Sequence, residues 1–359
     1  MKLTGRRIDE WLRWSSGNSK AARERSAFAR KYANIAERLQ DAHRIAVASA
    51  VAAEAREQAA RGEEIDPGLL TDHGPHHVEK VIERATDLIA AEGLELSTRE
   101  LFMLLLAIQL HDVGNAYGRE HHEEKVWEVL RRVRGDDLDE VETRAICQIV
   151  EAHGGETADG SKDRIGPIYP QQQIFGQTVR LQLLAAILRF ADELAEDSSR
   201  AARFLMESGQ LPKRSEAYHE YAKSLRSVTV NATAKEVALA FVLDRRLATT
   251  QIGKDNGELL LLDYIFSRTR KMHYERIYCS RFTAPHALRV EQIKVEVLFL
   301  EEDGREFHDA IRYRLEDRGY PTEEPLATIC QDDLRVPGTD RVWTGELLKA
   351  RLEPGGGNA

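Results

Sequence analysis

The sequence predicts a mainly α fold: a helical domain with an N-terminal helical extension and a small C-terminal α+β domain. Three observations carry this. Residues 1 to about 64 are dominated by Ala, Arg, Glu and Leu and contain no Pro. From Thr71 to about Met206, apolar residues recur at helical spacing. After "LPKRSEAYH" (211–219) the texture changes to β-branched and alternating segments. The implied layout is a helical extension over 1–66, a helical domain over 67–210, an α+β domain over 211–352 and a disordered tail, "EPGGGNA", over 353–359.

Each element follows from its local pattern. "EEIDPGLL" ends the first helical region at Pro67 and Gly68. Helices are expected over 75–92, 98–111, 120–133, 138–153 and 176–195, with a shorter one near 198–208. The segment "GGETADGSKDRIGPIYPQQQ" (154–173) reads as a long loop, which in a helical domain is usually functional or disordered. Strands are expected over 227–233, 236–243 and 291–300, with a helix over 257–278 and another over 304–317. No internal repeat is visible.

Composition narrows the function classes. The chain has 359 residues, 42% of them apolar, enough for a sizeable core and for more than one domain. A net charge of −9 argues against nucleic-acid binding by bulk charge. Residues 1–44 are locally basic, with eleven Lys/Arg against five Asp/Glu. That segment is either a contact for a phosphate backbone or acidic partner, or a solvated helix face, and the second is the default. Cys147, Cys279 and Cys330 are far apart and form no CxxC, so neither a disulfide framework nor a cysteine zinc site is expected, and a reducing cytoplasm fits. The N-terminus lacks the apolar core of a signal peptide, and the longest apolar stretch, Leu101 to Leu110, is too short to span a bilayer. A cytoplasmic protein with no membrane partner is expected. A homo-oligomer is left open.

Of twelve histidines, seven lie between residues 73 and 153: His73, His76, His77, His111, His121, His122 and His153. A buried site needs its ligands on core-facing stripes. His77 shares a face with Val81, Ala85 and Leu88. His111 ends an apolar run below Leu104 and Ala107. His122 aligns with Val126, Val129 and Val133, whereas His121 aligns with Lys125 and Glu128. His153 closes a stripe of Ile146, Ile149 and Val150, and Asp192 shares a face with Leu184, Ala185 and Leu188. One inward His is usually a satisfied core residue. Four of them, with Asp112 and Asp192, point instead to divalent metals such as Mn, Fe, Ni or Zn. Adjacent His111 and Asp112 point different ways, so that Asp112 can bridge two metals. Such a pair can clamp a phosphoryl group.

The ordered set His77, His111-Asp112, His122, His153, Asp192 resembles the HD-domain superfamily of metal-dependent phosphohydrolases, over about 71–206. The resemblance implies a binuclear metal centre with ligands His77, His111, Asp112, His122, His153 and Asp192. Its cofactors would be two divalent ions (Mn, Fe, Ni, Zn or Mg). "TDHGPHH" is similar to the cyclic-nucleotide phosphodiesterase branch, where a His four before the first ligand protonates the leaving oxygen. This makes His73 the candidate general acid, although Asp72 and Gly74 stand where that branch has tyrosine and asparagine. Asp72 or Thr71 capping a helix opened by Pro75 would set His73 beside the site, and a turn histidine without a role remains the other reading. "HDVGN" lacks the Lys of the cyclic-di-GMP branch and the GYP segment is absent, which argues against that substrate.

Lys162, Arg164 and Arg119 are candidate phosphate contacts, the first two on what is otherwise a solvated lid. Asn115 either binds a ligand or caps the HDVG turn. Glu196 and Asp197 read as surface charges. "KMHYERIYCSRF" (271–282), with His273, Tyr274, Tyr278 and Phe282, reads as an amphipathic helix on the small sheet rather than a nucleic-acid platform. The function implied by the resemblance is phosphohydrolase or phosphodiesterase action. The substrate class is a nucleotide, cyclic nucleotide or oligonucleotide phosphoester, with Asp112 and His73 catalytic. A di-iron oxygenase of HD type and a non-catalytic nucleotide-sensing scaffold are the alternatives.

Overall fold

The computed structural model describes residues 6–14, 19–62, 71, 73–92, 94–117, 122–157, 159–231, 233–283, 290–317, 326–330 and 332–353. Arg119, Asp72, the Pro67-Gly68 break and the tail after residue 353 lie outside the described residues. The fold is mainly α. Its contacts divide into two units, one of residues 1–67, 72–195 and 279–289, the other of residues 68–71, 196–278 and 290–359.

The first unit contains α1 (Ile8–Arg13), α2 (Lys20–Arg61), α3 (Pro75–Glu92), α4 (Thr98–Leu110), α5 (Val126–Val133), α6 (Glu140–Glu151), a hairpin of β1 (Gln172–Ile174) and β2 (Gln177–Val179), and α7 (Leu181–Glu193). At its centre is α4, whose residues Arg99 to Leu110 are all buried. A helix apolar on every side must be enclosed by others. Each fully buried Leu or Phe there contributes about 1.5–3 kcal/mol. Ser97 and Glu100 form a capping box that starts α4. Phe28, Tyr32, Ile35 and Leu39 make a buried stripe at helical spacing along α2, which packs on α4. The N-terminal helices therefore belong to the same unit as the histidine-bearing helices. Part of their basic charge is paired within the chain: Arg7 and Arg13 with Asp9, and Arg38 with Asp137.

Helix α7 begins at Leu181, not at 176. Phe175 and Gly176 have φ of 48° and 74°, a left-handed pair that turns a hairpin and cannot start a helix. The start of α7 is pinned instead by the buried Glu100 carboxylate, which accepts from the Arg180 backbone N–H (3.1 Å) and Nε (2.7 Å). The helix expected over 120–133 is a 3-10 turn, His122–Lys125, followed by α5.

The second unit contains α8 (Arg203–Glu207), α9 (Glu216–Ser224), β3 (Leu225–Asn231), β4 (Glu236–Leu243), α10 (Arg245–Thr249), β5 (Gln251–Lys254), β6 (Gly257–Leu260), β7 (Gln292–Leu300), β8 (Glu306–Glu316), α12 (Leu326–Ile329) and α13 (Gly345–Leu352), with most of α11 (Leu261–Thr283). The sheet order is β3-β4-β7-β8, with β4 and β7 parallel and the outer pairs antiparallel. Its register sets Val228, Leu239, Val295 and Tyr313, all buried, in one row across four strands. Helix α11 packs on this face: Thr269 Oγ1 lies 2.8 Å from Tyr313 Oη, and Phe266 meets the same ring edge-on. His273 and Arg276 on α11 are buried, as expected of a packed amphipathic helix.

Three segments here correct the sequence expectation. Residues 304–317 are not a helix but strand β8: Ile311, Tyr313 and Leu315 are buried while Arg312 and Arg314 are exposed, a period of two. Their Arg- and Glu-rich composition hides that alternation. Residues 257–260 pair as β6 before α11 begins, because Asp255, at φ 50°, turns the chain into a second hairpin. The expected helix near 198–208 divides into a 3-10 turn, Ser198–Arg200, and α8. Among the described residues no helix is long and apolar enough to cross a membrane.

The three cysteines are buried and form no disulfide. Burial, with Glu151 nearby, pushes the Cys147 thiol up to about 12. A disulfide-exchange thiol reagent at pH 8 is expected to label none of the three in the native protein and all of them after denaturation. Rapid native labelling of Cys147 would contradict this packing.

Candidate metal centre

The candidate residues sit at helix ends in the first unit. His73 lies in the turn before α3 and His77 in the first turn of α3. His111 and Asp112 directly follow α4, His122 opens the 3-10 turn, His153 lies two residues past α6, and Asp192 is the penultimate residue of α7. The stripes aim them inward. Val81, Ala85 and Leu88 below His77 are buried, as are Ile146, Ile149 and Val150 below His153 and Leu184, Ala185 and Leu188 below Asp192. His77 is fully buried and His111 nearly so.

The structure brings all seven together. Successive ring centroids run His73, His77, His111, His153, His122 at 5.2–5.4 Å. Asp112 is the common neighbour. Its Oδ2 lies 2.7 Å from His73 Nδ1, 3.1 Å from His111 Nε2 and 3.5 Å from His77 Nε2. Its Oδ1 lies 3.4 Å from His122 Nε2 and accepts from Asn115 Nδ2 at 3.3 Å. Asp192 Oδ1 lies 3.0 Å from His77 Nε2 and 3.6 Å from His111 Nε2. Three groups have ligand atoms within 4.8 Å of one another: His73, His77 and Asp112; His77, His111 and Asp192; Asp112, His122 and His153.

This donor set fits metal ions on chemical grounds. His111 Nδ1 lies 2.7 Å from the Ile108 carbonyl and His153 Nδ1 2.6 Å from the Val150 carbonyl. A nitrogen facing a carbonyl must carry the hydrogen, so Nε2 is the atom each ring turns to the centre; His153 has its lone pair there, and His111 would present one on giving up its proton to a metal. His77 Nε2 and His111 Nε2 face each other at 3.2 Å. Burial alone raises a carboxyl pKa, yet His111 and His73 beside Asp112 hold that carboxyl well below its usual range, and His111 and His77 do the same for Asp192. Burial likewise disfavours a charged His111, but the two carboxylates raise it well above the usual histidine value. Burial and the neighbouring histidines push His153 down to about 4, leaving a neutral ring. Buried Asp112 and half-buried Asp192 among inward-facing imidazoles form a field that calls for positive charge.

Three supporting residues escape the sequence reading. Glu123 is buried with Oε2 3.4 Å from His122 Nδ1. Its carboxylate rests where a Cβ on Gly155 would fall, so glycine is needed there. Arg189, buried three residues before Asp192, donates to the carbonyls of Ala152 and Lys162, each at 3.4 Å, and ties α7 to the start of the long loop. His43 on α2 is buried with Nε2 2.6 Å from the Gln109 carbonyl, behind His111. For Glu123 and Arg189 the signal was a charge on or beside an apolar stripe. His43 left none.

Arg164 and Lys162 diverge. Arg164 turns inward, with Nε and Nη1 donating to the carbonyls of Glu151 and Glu156. Lys162 is exposed, 3.8 Å from Glu156. Arg164 thus straps the loop to the end of α6. Glu196 is largely buried and pairs with Arg200 at 3.2 Å rather than lying free on the surface.

A helical unit whose helix ends converge His and Asp side chains has a donor set that could hold metal ions between helices. More specifically, the chain belongs to the HD-CE family, an HD-type domain, whose family model matches residues 67–271, more than half of its length. The match runs past the His/Asp cluster into α11. No curated protein and no solved structure matches the chain.

The HDVG glycine has its own geometric role. A Cβ on Gly114 would lie 1.8 Å from the His122 carbonyl oxygen. Gly114→Ala is expected to displace the His122 turn, cost about 1–3 kcal/mol of stability and lower metal content, as measured by denaturant titration and elemental analysis. Unchanged stability and metal content would show that the turn moves without consequence.

Proposed function

We propose that the chain is a metal-dependent phosphohydrolase acting on a nucleotide, cyclic nucleotide or oligonucleotide phosphoester through two divalent ions. The observation that carries this is the division of the Asp112 carboxylate. One oxygen faces His73, His77 and His111 and the other faces His122, so one side chain can serve two ions. His77, His111 and Asp192 would hold the first ion with Asp112, and His122 and His153 the second. When bound, such a pair polarises a phosphoryl oxygen and supplies a water-derived nucleophile at neutral pH.

The chain's own residues do the rest. Glu123 orients His122, and the Ile108 and Val150 carbonyls orient His111 and His153. His73, at the partly exposed edge of the cluster, is held through Nδ1 on Asp112, so Nε2 is the atom that passes a proton to the leaving oxygen. Lys162, exposed on the loop that Arg164 straps down, would meet a substrate phosphate from solvent.

Elemental analysis of protein purified without chelator, beside Asp112→Ala, tests the reading. About two equivalents of divalent metal, lost in the variant together with phosphoesterase activity, are expected. Two irons with dioxygen consumption would replace the hydrolase by an oxygenase. No metal, even after Mn or Fe is added back, would end both.

His73→Gln is expected to keep the metal and lower kcat about 10²–10⁴-fold on substrates with a poor leaving group. The loss should be smaller on nitrophenyl esters, whose leaving group needs no proton. Metal loss in that variant would make His73 a ligand instead.

A further inference from the structure

A cleft of about 630 Å³ in the first unit is lined by Phe28, Lys31, Arg99, Arg134, Glu142 and Phe175, none of them part of the His/Asp cluster. Phe175 is the unexplained residue. It occupies the first position of the β1-β2 turn at φ 48°, with Gly176 next at 74°. This left-handed pair suits Asn-Gly, and a bulky residue there is strained. Burial does not compensate, because the residue is 64% exposed. Its ring lies over the Arg99 guanidinium at 5.2 Å. Arg99 does not need it: the guanidinium already stacks on Phe28 at 5.1 Å, bonds to the buried Glu142 and donates to Gln177. A strained, exposed aromatic ring that the fold does not require marks a ligand contact.

We propose that this cleft is a second ligand site, taking a free nucleotide whose base stacks on Phe175. The rest of the wall fits that class. Lys31, 3.7 Å from Glu142, and Arg134, 2.9 Å from Glu140, are cations that a phosphate would share with those carboxylates, and the carboxylates of Asp136 and Glu24 supply acceptors for the N–H groups of a base. A purely apolar ligand would use none of these groups. A simple anion or a metal ion would not use the ring.

The cleft also has a structural route to the metal centre. It is walled at Arg99 and Asp139, at the N-terminal ends of α4 and α6, whose other ends lead to His111 and His153. Arg99 and His111 are separated by about 18 Å along α4. The hairpin carrying Phe175 leads directly into α7 and Asp192. Two of the elements that position the cluster, α4 and α6, and the hairpin that leads into a third therefore meet the proposed ligand.

The test is calorimetric titration of AMP, GMP, CMP and UMP into the full-length Asp112→Ala chain in chelator, so that the metal centre binds nothing. Wild type in chelator serves as control should the variant fold poorly. One molecule per chain is expected for at least one nucleotide. Phe175→Asn and Lys31→Ala should each weaken it tenfold or more, and Phe175→Asn should keep or raise Tm. Absence of binding by all four, binding indifferent to Phe175, or a clear drop in Tm for Phe175→Asn would overturn the site. These readouts do not depend on hydrolase activity, so either reading can fail alone.

Discussion

Two carboxylates set among buried imidazoles impose the constraint on which the first unit depends. Removing an ion from water costs several kcal/mol even after relaxation, and Asp112 is buried while Asp192 meets two buried rings. The surroundings are arranged to receive these charges. The helix ends converge, the ring nitrogens facing the centre are fixed by backbone carbonyls, and Asn115 and Glu123 complete the shell. Without the central apolar helix α4, none of these groups would be held at this spacing.

The placement at helix ends has a physical logic. A residue within a helix is fixed by 3.6-residue geometry, whereas one at its end is aimed by the turn that follows. Adjacent His111 and Asp112 do not point apart as the sequence suggests: α4 ends just before them, and both side chains turn into the cluster, with Nε2 and Oδ2 3.1 Å apart. The glycines at 114 and 155 let neighbouring groups approach more closely than any side chain allows: a backbone carbonyl in one case, a carboxylate in the other. The long loop after His153 is anchored by Arg164 and Arg189 through backbone carbonyls. Those arginines carry the charge expected of substrate contacts, but their visible geometry is that of struts.

The HD-CE match joins the helical centre to the start of the α+β unit in one family description. The sheet in that unit is built for packing on α11: its buried row of Val228, Leu239, Val295 and Tyr313 faces helix side chains. Among the ionisable groups of α11, His273 is pushed down to about 4 by burial and by Arg276, which makes it a neutral core residue.

The sequence by itself determined which residues face inward, because helical periodicity ties His77, His153 and Asp192 to the same stripes as their apolar neighbours. It also determined the helical character of the first two hundred residues and the turn to strands after them. Only the tertiary structure decided the rest. His122 reaches the cluster through a 3-10 turn rather than the expected helix, since Gly114 admits its backbone. Residues 304–317 pair as a strand because β7 offers an edge, a long-range partner that composition cannot reveal. Arg189 and His43 join the site through contacts between residues distant in the chain, Glu123 through the ring of its neighbour His122, and Arg164 turns from the solvent to the backbone. Local pattern fixes the face a side chain presents. What it meets there depends on which other elements pack against that face.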